Sequence, residues 1–447
     1  MAKAKTDALA QQIFDAGVIG AGGAGFPTHK KVVPGAKLLV INAAECEPLL
    51  ASDRYVMRAF APEIIEGVKA LALAMAVPRV VIGTKGHYVR EIAALRQAID
   101  AAGAHIEIHE VDSFYPAGDE QTLIYEITGE TVPPAGIPID IGIVVVNVTT
   151  ALNVQRAIHG VPVTRRFVTV TGEVSSPCIV DAPVGTSVAD LVKAAGGVTA
   201  APYAIVKGGP MMGPQFPMSA ADDITFGKAD GGLIILAADH PLIQFGAQPL
   251  GHIIAASRSI CMQCRMCTDM CPRYLIGHQM RPHRVMQSIV VDEHATDLTD
   301  ALLCCECGIC ELYACPMGLS PRRMNQYVKG MLRAQGVKVT DHTVHPEHAQ
   351  LRPYRRIAQS RLIDRLDLSD YPTSIDAVTA CEPASVVIPL RHGVGKPSTP
   401  CVAVGDEVHV GDVIADVAFT DVGCTVHASI DGRVAAVSDT GIRIERS

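Results

Sequence analysis

Nine of the chain's fourteen cysteines lie between Cys261 and Cys315, and their spacing constrains the fold more than any other feature. The first run is Cys261-x2-Cys264-x2-Cys267-x3-Cys271, closed by Pro272. The second is Cys304-x2-Cys307-x2-Cys310-x4-Cys315, closed by Pro316. Three thiolates spaced in this way wrap one face of a [4Fe–4S] cubane, and the fourth, a helical turn later, points to a different centre. The last gap of the second run is one residue longer than the usual form. Zinc also takes paired C-x2-C ligands, but two triplet-plus-one runs, each ending in Cys-Pro, suit clusters better. A disulfide framework would instead spread its cysteines through a small secreted domain. Cys305 is spare, and the Cys304-Cys305 pair leaves open which thiolate ligates. Cys46, Cys178, Cys381, Cys401 and Cys424 read as small buried hydrophobes.

The two runs together resemble the two-cluster bacterial ferredoxins, which exchange the fourth ligand between runs. That resemblance implies one cluster on Cys261, Cys264, Cys267 and Cys315. The other would take Cys304, Cys307, Cys310 and Cys271. Clustered cysteines in a large chain with no apolar secretory segment point to metal in a reducing cytoplasm.

At 447 residues the chain is long enough for three or four domains. A net charge of -8 gives no footprint for nucleic acid. Its strongest apolar run, Ile141–Val148, has the length of a buried strand and not of a membrane span.

Residues 36–150 alternate short apolar runs with helical patterns. Segments 37–42, 79–83, 105–109 and 141–146 read as strands, and 62–76 and 88–101 as helices. The expectation is an α/β domain with a largely parallel sheet. Residues 167–236 read as a compact α+β unit in which a small sheet grips the helix at 187–195. Residues 336–380 carry dense His and Arg with little apolar periodicity, and read as an extended, irregular connection. His342, His345 and His348 there could ligate a metal, but read more readily as solvated. Segments 404–414 and 426–434 look like paired hairpins of a small all-β domain. The turn Ile430-Asp-Gly-Arg433 has no lysine to carry a biotinyl or lipoyl group, so docking is the expected role.

The stretch Gly20-Ala21-Gly22-Gly23-Ala24-Gly25 matches G-x-G-x-x-G, and Glu45 follows about 20 positions on. A Rossmann turn must follow a strand and open a helix. Here residues 8–16 are helical in pattern, and Phe26-Pro-Thr-His-Lys-Lys31 is not. The loop is therefore expected to do another job, letting backbone amides approach a phosphate or a flat ring.

Read with Phe26-Pro-Thr-His-Lys-Lys31 and Asn42-Ala-Ala-Glu-Cys-Glu-Pro48, the loop resembles the FMN-binding core of the NADH-oxidising subunit of respiratory complex I. It is also similar to the C subunit of the Rnf electron-transport complex. Tyr115-Pro-Ala-Gly-Asp-Glu-Gln121 matches the Gly-Glu-Glu turn of these proteins, with Asp119 in place of the first glutamate. Val146-Asn-Val-Thr-Thr150 matches their Asn-rich flavin segment. The resemblance implies FMN phosphate near Lys31, Asn147, Thr149 and Thr150. It places the isoalloxazine over Gly20, Gly22, Gly23 and Gly25 near Asn42, Gly118 and Asp119, with NADH stacked on it beside Glu45 and Glu47. No catalytic acid, base or nucleophile is expected.

Order and length resemble most closely the cobalamin reductases of propanediol-utilisation microcompartments (PduS type), because a barrel-sandwich pattern follows the other modules at the C-terminal end. The resemblance implies a multidomain α/β architecture. It would comprise a complex I 51 kDa-like FMN/NADH domain (1–160), a β-grasp (SLBB) module (161–240), and a helical two-[4Fe–4S] ferredoxin-like domain (250–335). A linker (336–380) and a barrel-sandwich hybrid (381–447) would follow. It further implies NADH-dependent reduction of cob(III)alamin or cob(II)alamin toward cob(I)alamin, in service of a B12-dependent diol dehydratase system. The implied partners are NADH, cobalamin or a corrinoid-handling adenosyltransferase, and shell proteins, inside a cytoplasmic bacterial microcompartment. An Rnf-type subunit feeding a membrane or ferredoxin partner, and a non-catalytic iron–sulfur docking scaffold, are the alternatives.

Overall fold

In the computed structural model, which describes residues 2–291 and 298–447, the N-terminal third is built on four parallel strands. β1 (Leu38–Ala43), β2 (Val80–Lys85), β3 (Glu107–Val111) and β4 (Ile143–Asn147) lie in the order β3-β2-β1-β4. The inner strands open on apolar runs, Leu38–Ile41 and Val80–Ile82, because both of their faces are covered. Leu39, Ile41, Ile82, Val144 and Val146 enter a core shared with helices α1 (Ala2–Asp15), α2 (Ser52–Ala59), α3 (Ala61–Met75), α4 (Val89–Ala101) and, past β4, the helix Val148–Ile158. Leu38, Val40, Val81 and Val145 alternate to the opposite face, under the helix Glu120–Thr128. The chain steps outward from β1 to β3 and returns to the other side of β1 with β4. Strand order therefore reverses between β1 and β4, and a crevice opens at their carboxyl ends.

Two features of the Rossmann arrangement are absent, as the flanks of the glycine stretch require. The loop at residues 20–25 precedes β1, follows α1, and runs into a single 3-10 turn, Thr28–Lys31. It reaches the crevice from outside the sheet.

The second unit is a six-stranded sheet wrapped around the helix Val188–Ala194, whose Val188 and Leu191 fill a core with Val168, Val170, Phe226 and Ile235. One edge of that sheet comes from far along the chain, where Val378–Ala380 runs parallel to Cys178–Pro183. Residues 336–380, expected as a largely irregular connection, also carry short elements. They form short helices at Arg352–Arg355 and Gln359–Arg365, and Ile357–Ala358 pairs antiparallel with Phe114–Tyr115. Sequence periodicity misses this strap because few apolar residues anchor it. Ile357, Leu362, Ile363, Leu366 and Leu368 enter a core shared with Tyr115 and Met211, and Arg352 and Arg356 both pair with Glu126.

The C-terminal unit is two small sheets. Glu407–Val408 pairs with Gly432–Val437 in one, and Val413–Asp416 with Val426–His427 in the other. The segments expected as local hairpins thus cross between sheets and make a sandwich. Among the described residues no helix is long and apolar enough to cross a membrane.

The approach of α3 to the helix Val148–Ile158 depends on Gly67, where an added Cβ would lie 2.1 Å from the Ala151 carbonyl oxygen. Ala in place of a mid-helix Gly gains about 1 kcal/mol of propensity, whereas forcing two packed helices apart costs about 1–3 kcal/mol or more. Gly67→Ala is expected to lower the denaturation midpoint. A raised midpoint in urea titration would show that the helices separate freely.

Candidate functional site

The two cysteine runs have the same local backbone. In the first, φ is positive at Gln263 (56°) and Arg265 (66°), and in the second at Glu306 (62°) and Gly308 (81°). A short helix follows each, Met266–Asp269 and Ile309–Leu312. The two left-handed residues curl each run so that its three thiols converge. Superposed by these turns, Cys304 takes the place of Cys261, and Cys305 that of Met262. The Cys304 sulfur accepts the Glu306 amide at 3.4 Å, whereas Cys261 accepts the Gln263 side-chain amide at 3.3 Å.

The thiols surround two cavities. One is lined by Cys261, Cys264, Cys267 and Cys315. The other is lined by Cys271, Cys304, Cys305, Cys307 and Cys310. Each cavity therefore draws its fourth main ligand from the other run, and this set of sulfur donors fits two cubanes. The first cavity faces outward, with Cys264 exposed and Met262 and Met317 at 61% and 38% exposure beside it. The second is pressed against the parallel-sheet unit. There the Tyr115 hydroxyl donates to the Cys307 carbonyl at 2.8 Å, and Arg273 pairs with Asp119 at 2.8 Å.

Most of the other sequence-expected residues meet at the carboxyl ends of β1 and β4. Thr150 Oγ1 accepts the amide of Ala21 at 2.9 Å, which lays the glycine loop over β4. A Cβ on Gly22 would fill the gap to the Asn147 side chain, 3.5 Å away, while one on Gly23 would meet nothing within 4 Å. The loop thus leaves a bare backbone cradle over the crevice, as a flat cofactor requires. Asn147 Oδ1 caps the following helix by accepting the Thr149 and Thr150 amides, at 2.9 and 3.3 Å. Its amide nitrogen and the Thr149 hydroxyl both donate to Asp53, each at 2.7 Å. Asn42 spans from the Ala44 amide to the Gly118 carbonyl. The Lys31 ammonium reaches the Val145 carbonyl at 2.9 Å, and burial lowers its pKa.

Two of the residues expected at the cofactor make their hydrogen bonds at the junction between units. Glu47 lies 3.3 Å from the Tyr115 hydroxyl and accepts the Met211 amide at 3.0 Å. Burial pushes its carboxyl up to about 7, against the pull of those donors. Asp119 caps the helix Glu120–Thr128 through the Thr122 amide and holds Arg273 with its other oxygen. In the strap, His342 turns to the Pro134 carbonyl, while His345, Glu347 and His348 bring donor atoms within 4.8 Å of one another.

Glu45 stays in the crevice. Its carboxylate accepts the Asp53 amide at the start of α2, a favourable end of the helix for negative charge. Burial, and then the neighbouring Asp53, nevertheless push its carboxyl up to about 8. Lys85, at the end of β2, is pushed down to about 8 by burial.

Sequence reasoning missed Arg166. It projects from the strand Arg165–Gly172 of the β-grasp unit, is 5% exposed, and donates to the Ala21 carbonyl at 2.8 Å and the Asp230 carbonyl at 3.0 Å. Nothing local marks it, because its partners lie in two other parts of the chain.

Two outcomes test this geometry. Because Cys304 and not Cys305 occupies the first position of the second run, Cys305→Ser is expected to keep about eight irons per chain. Cys304→Ser should lose about four by anaerobic iron assay. The raised Glu45 pKa has a definite sign: the folded form holds the proton more tightly than the unfolded one. That contribution to stability is present below the ordinary carboxyl pKa of 4.5 and is lost as pH rises toward 8. Calorimetry should find Tm falling between about pH 5 and pH 8 in the wild-type chain, and falling less in Glu45→Gln.

Comparison with known proteins matches each unit. The Nuo51 FMN-binding domain matches residues 13–156, the SLBB domain 167–215, the 4Fe-4S dicluster domain 260–320 and the RnfC barrel sandwich hybrid domain 372–445. The chain is 39% identical over 445 residues to cobalamin reductase PduS of Salmonella typhimurium, covering 98% of this chain and 97% of that one. It is 38% identical over 442 residues to cobalamin reductase PduS of Citrobacter freundii, covering 98% and 96%. Among solved structures, an NAD+-reducing [NiFe]-hydrogenase in the H2-reduced state shares the fold at a TM-score of 0.51 and 20% identity, over 79% of this chain and 67% of that one. The chain belongs to the family of proteins named cobalamin reductase PduS. It is an NADH-linked oxidoreductase whose cofactors are FMN and two [4Fe–4S] clusters.

Proposed function

We propose that this chain carries electrons from NADH to a corrinoid, reducing cob(III)alamin or cob(II)alamin toward cob(I)alamin. The observation that carries this reading is the order of the sites. The crevice, the inner cysteine cavity and the outer one succeed one another, and the inner cavity touches the crevice unit through Tyr115 and Cys307. When bound, the flavin supplies conversion between two-electron and one-electron transfer, and the clusters supply one-electron conduction.

The chain's own residues bind, orient and exclude water. Gly20, Gly22, Gly23 and Gly25 offer backbone to the flavin, while Lys31, Asn42, Gly118, Asn147, Thr149 and Thr150 bound its pocket. Cys261, Cys264, Cys267 and Cys315 hold the outer cluster, and Cys271, Cys304, Cys307 and Cys310 the inner one. Glu45 stands at the crevice, where its protonated form near neutral pH avoids repelling an anionic nucleotide. Glu47 and Asp119 serve the junction, holding the inner cluster's loop against the flavin unit. Units 1–160, 161–240, 250–335 and 381–447 act as the four modules, with 336–380 as the strap that ties them.

Electrons leave at the outer cavity, where Cys264, Met262 and Met317 face solvent. An adenosyltransferase would take the reduced corrinoid, and a propanediol-utilisation microcompartment is the setting. The test is anaerobic addition of NADH and hydroxocobalamin to the purified chain. Bleaching of the flavin followed by loss of the cob(III)alamin spectrum is expected. Flavin bleaching with an unchanged corrinoid would move the assignment to another acceptor, and iron without flavin would sink the NADH–FMN step.

A further inference from the structure

The crevice carries a buried cationic group that no part of the reading above employs. Arg166 commits its Nε to the Asp230 carbonyl and one terminal nitrogen to the Ala21 carbonyl, while the other terminal nitrogen, Nη1, is buried with no hydrogen-bond partner. A buried guanidinium N–H left unmade is costly, and a fixed fork is the geometry that best fits a phosphate.

The groups around it sharpen the point. A helix N-terminus would ordinarily receive an anion through its free amides. Here the Thr149 and Thr150 amides are already taken by Asn147, and the Thr149 hydroxyl is given to Asp53. Lys31 turns its ammonium to the Val145 carbonyl. Three carboxylates, Asp53, Glu45 and Asp230, stand within electrostatic reach of Arg166. Asp53 already accepts the Asn147 and Thr149 side chains. A phosphate brought among these groups needs a desolvated cation with a free donor, and Arg166 is one that the crevice holds. Its position is fixed by the glycine loop itself, since Ala21 gives its amide to Thr150 and its carbonyl to Arg166.

We propose that Arg166, supplied by the β-grasp unit, binds the phosphate of FMN through Nη1. The cofactor site is then completed across a domain boundary. The inference rests on the flavin reading of the crevice and adds to it a residue outside the flavin unit.

The experiment compares FMN with riboflavin, which lacks the phosphate, by flavin-fluorescence titration of the full chain stripped of flavin but retaining its iron. Arg166→Met is expected to weaken FMN about 10- to 100-fold, as loss of a charge-assisted hydrogen bond does, while riboflavin binding stays as in wild type. Equal weakening of both flavins would assign Arg166 a purely structural role and overturn the proposal, as would unchanged FMN binding. Should Arg166→Met lose its iron, Arg166→Lys carries the test, because it keeps the charge and loses the fork. A smaller but FMN-selective loss is then expected, and a wild-type FMN-to-riboflavin ratio overturns the proposal. Failure of the wild-type chain to bind either flavin would instead overturn the flavin reading beneath it.

Discussion

The exchange of the fourth cysteine between the two runs is the constraint from which the architecture follows. Cys271 belongs to the first run by sequence and to the second cavity by position, and Cys315 does the reverse. Neither cavity can therefore form without both runs, and the two runs must fold together. The inner cavity then needs cover on its open side, and the flavin unit provides it through Tyr115, Glu47 and the Asp119–Arg273 pair. Met211 from the β-grasp unit closes the same junction by giving its amide to Glu47. Three units thus meet at one small polar core, which fixes the inner cluster against the crevice.

The glycine loop is held from three directions. Beneath it are Thr150 and Asn147, and Arg166 of the β-grasp unit reaches its first half. The barrel-sandwich unit holds its second half: the Val394 amide donates to the Ala24 carbonyl at 3.2 Å, and a Cβ on Gly25 would lie 2.7 Å from Gly393 Cα. Lys30 continues the contact through the Phe419 and Thr420 carbonyls, and His29 packs between Phe14 and Phe419. Lys228, wholly buried, ties the Gly17 carbonyl to that of Thr425. A loop rich in glycine has high backbone entropy when free, so its order must come from such outside contacts. The sandwich unit makes these contacts with residues 14–30, close to the start of the flavin unit. That neighbourhood explains why the module can serve the loop from the far end of the chain.

Glu45 and Glu47 stand two positions apart and have different partners. One faces the crevice on the N-terminus of α2, and the other faces the cysteine unit across Tyr115. Residues two apart on a strand would share a face, but β1 ends at Ala43, and the bend beyond it lets the two acids reach different partners. From the motif alone they look equivalent, and only their partners separate them.

The sequence by itself determined the features whose causes are local. Cysteine spacing marked the two triplets of thiols, because curling a run of three needs only neighbouring residues. Apolar runs located β1 to β4, because a strand covered on both faces carries apolar residues on both. The flanks of the glycine stretch excluded a Rossmann turn, because proline and a preceding helix forbid that geometry. Tertiary structure alone decided the partners of Glu47, Asp119 and Arg166, and the short elements within residues 336–380. Arg166 meets Ala21 across 145 positions, Tyr115 meets Cys307 across 192, and Arg273 meets Asp119 across 154. Polar partners so distant leave no periodicity in the chain. What a buried charge does is fixed by the groups that come to surround it.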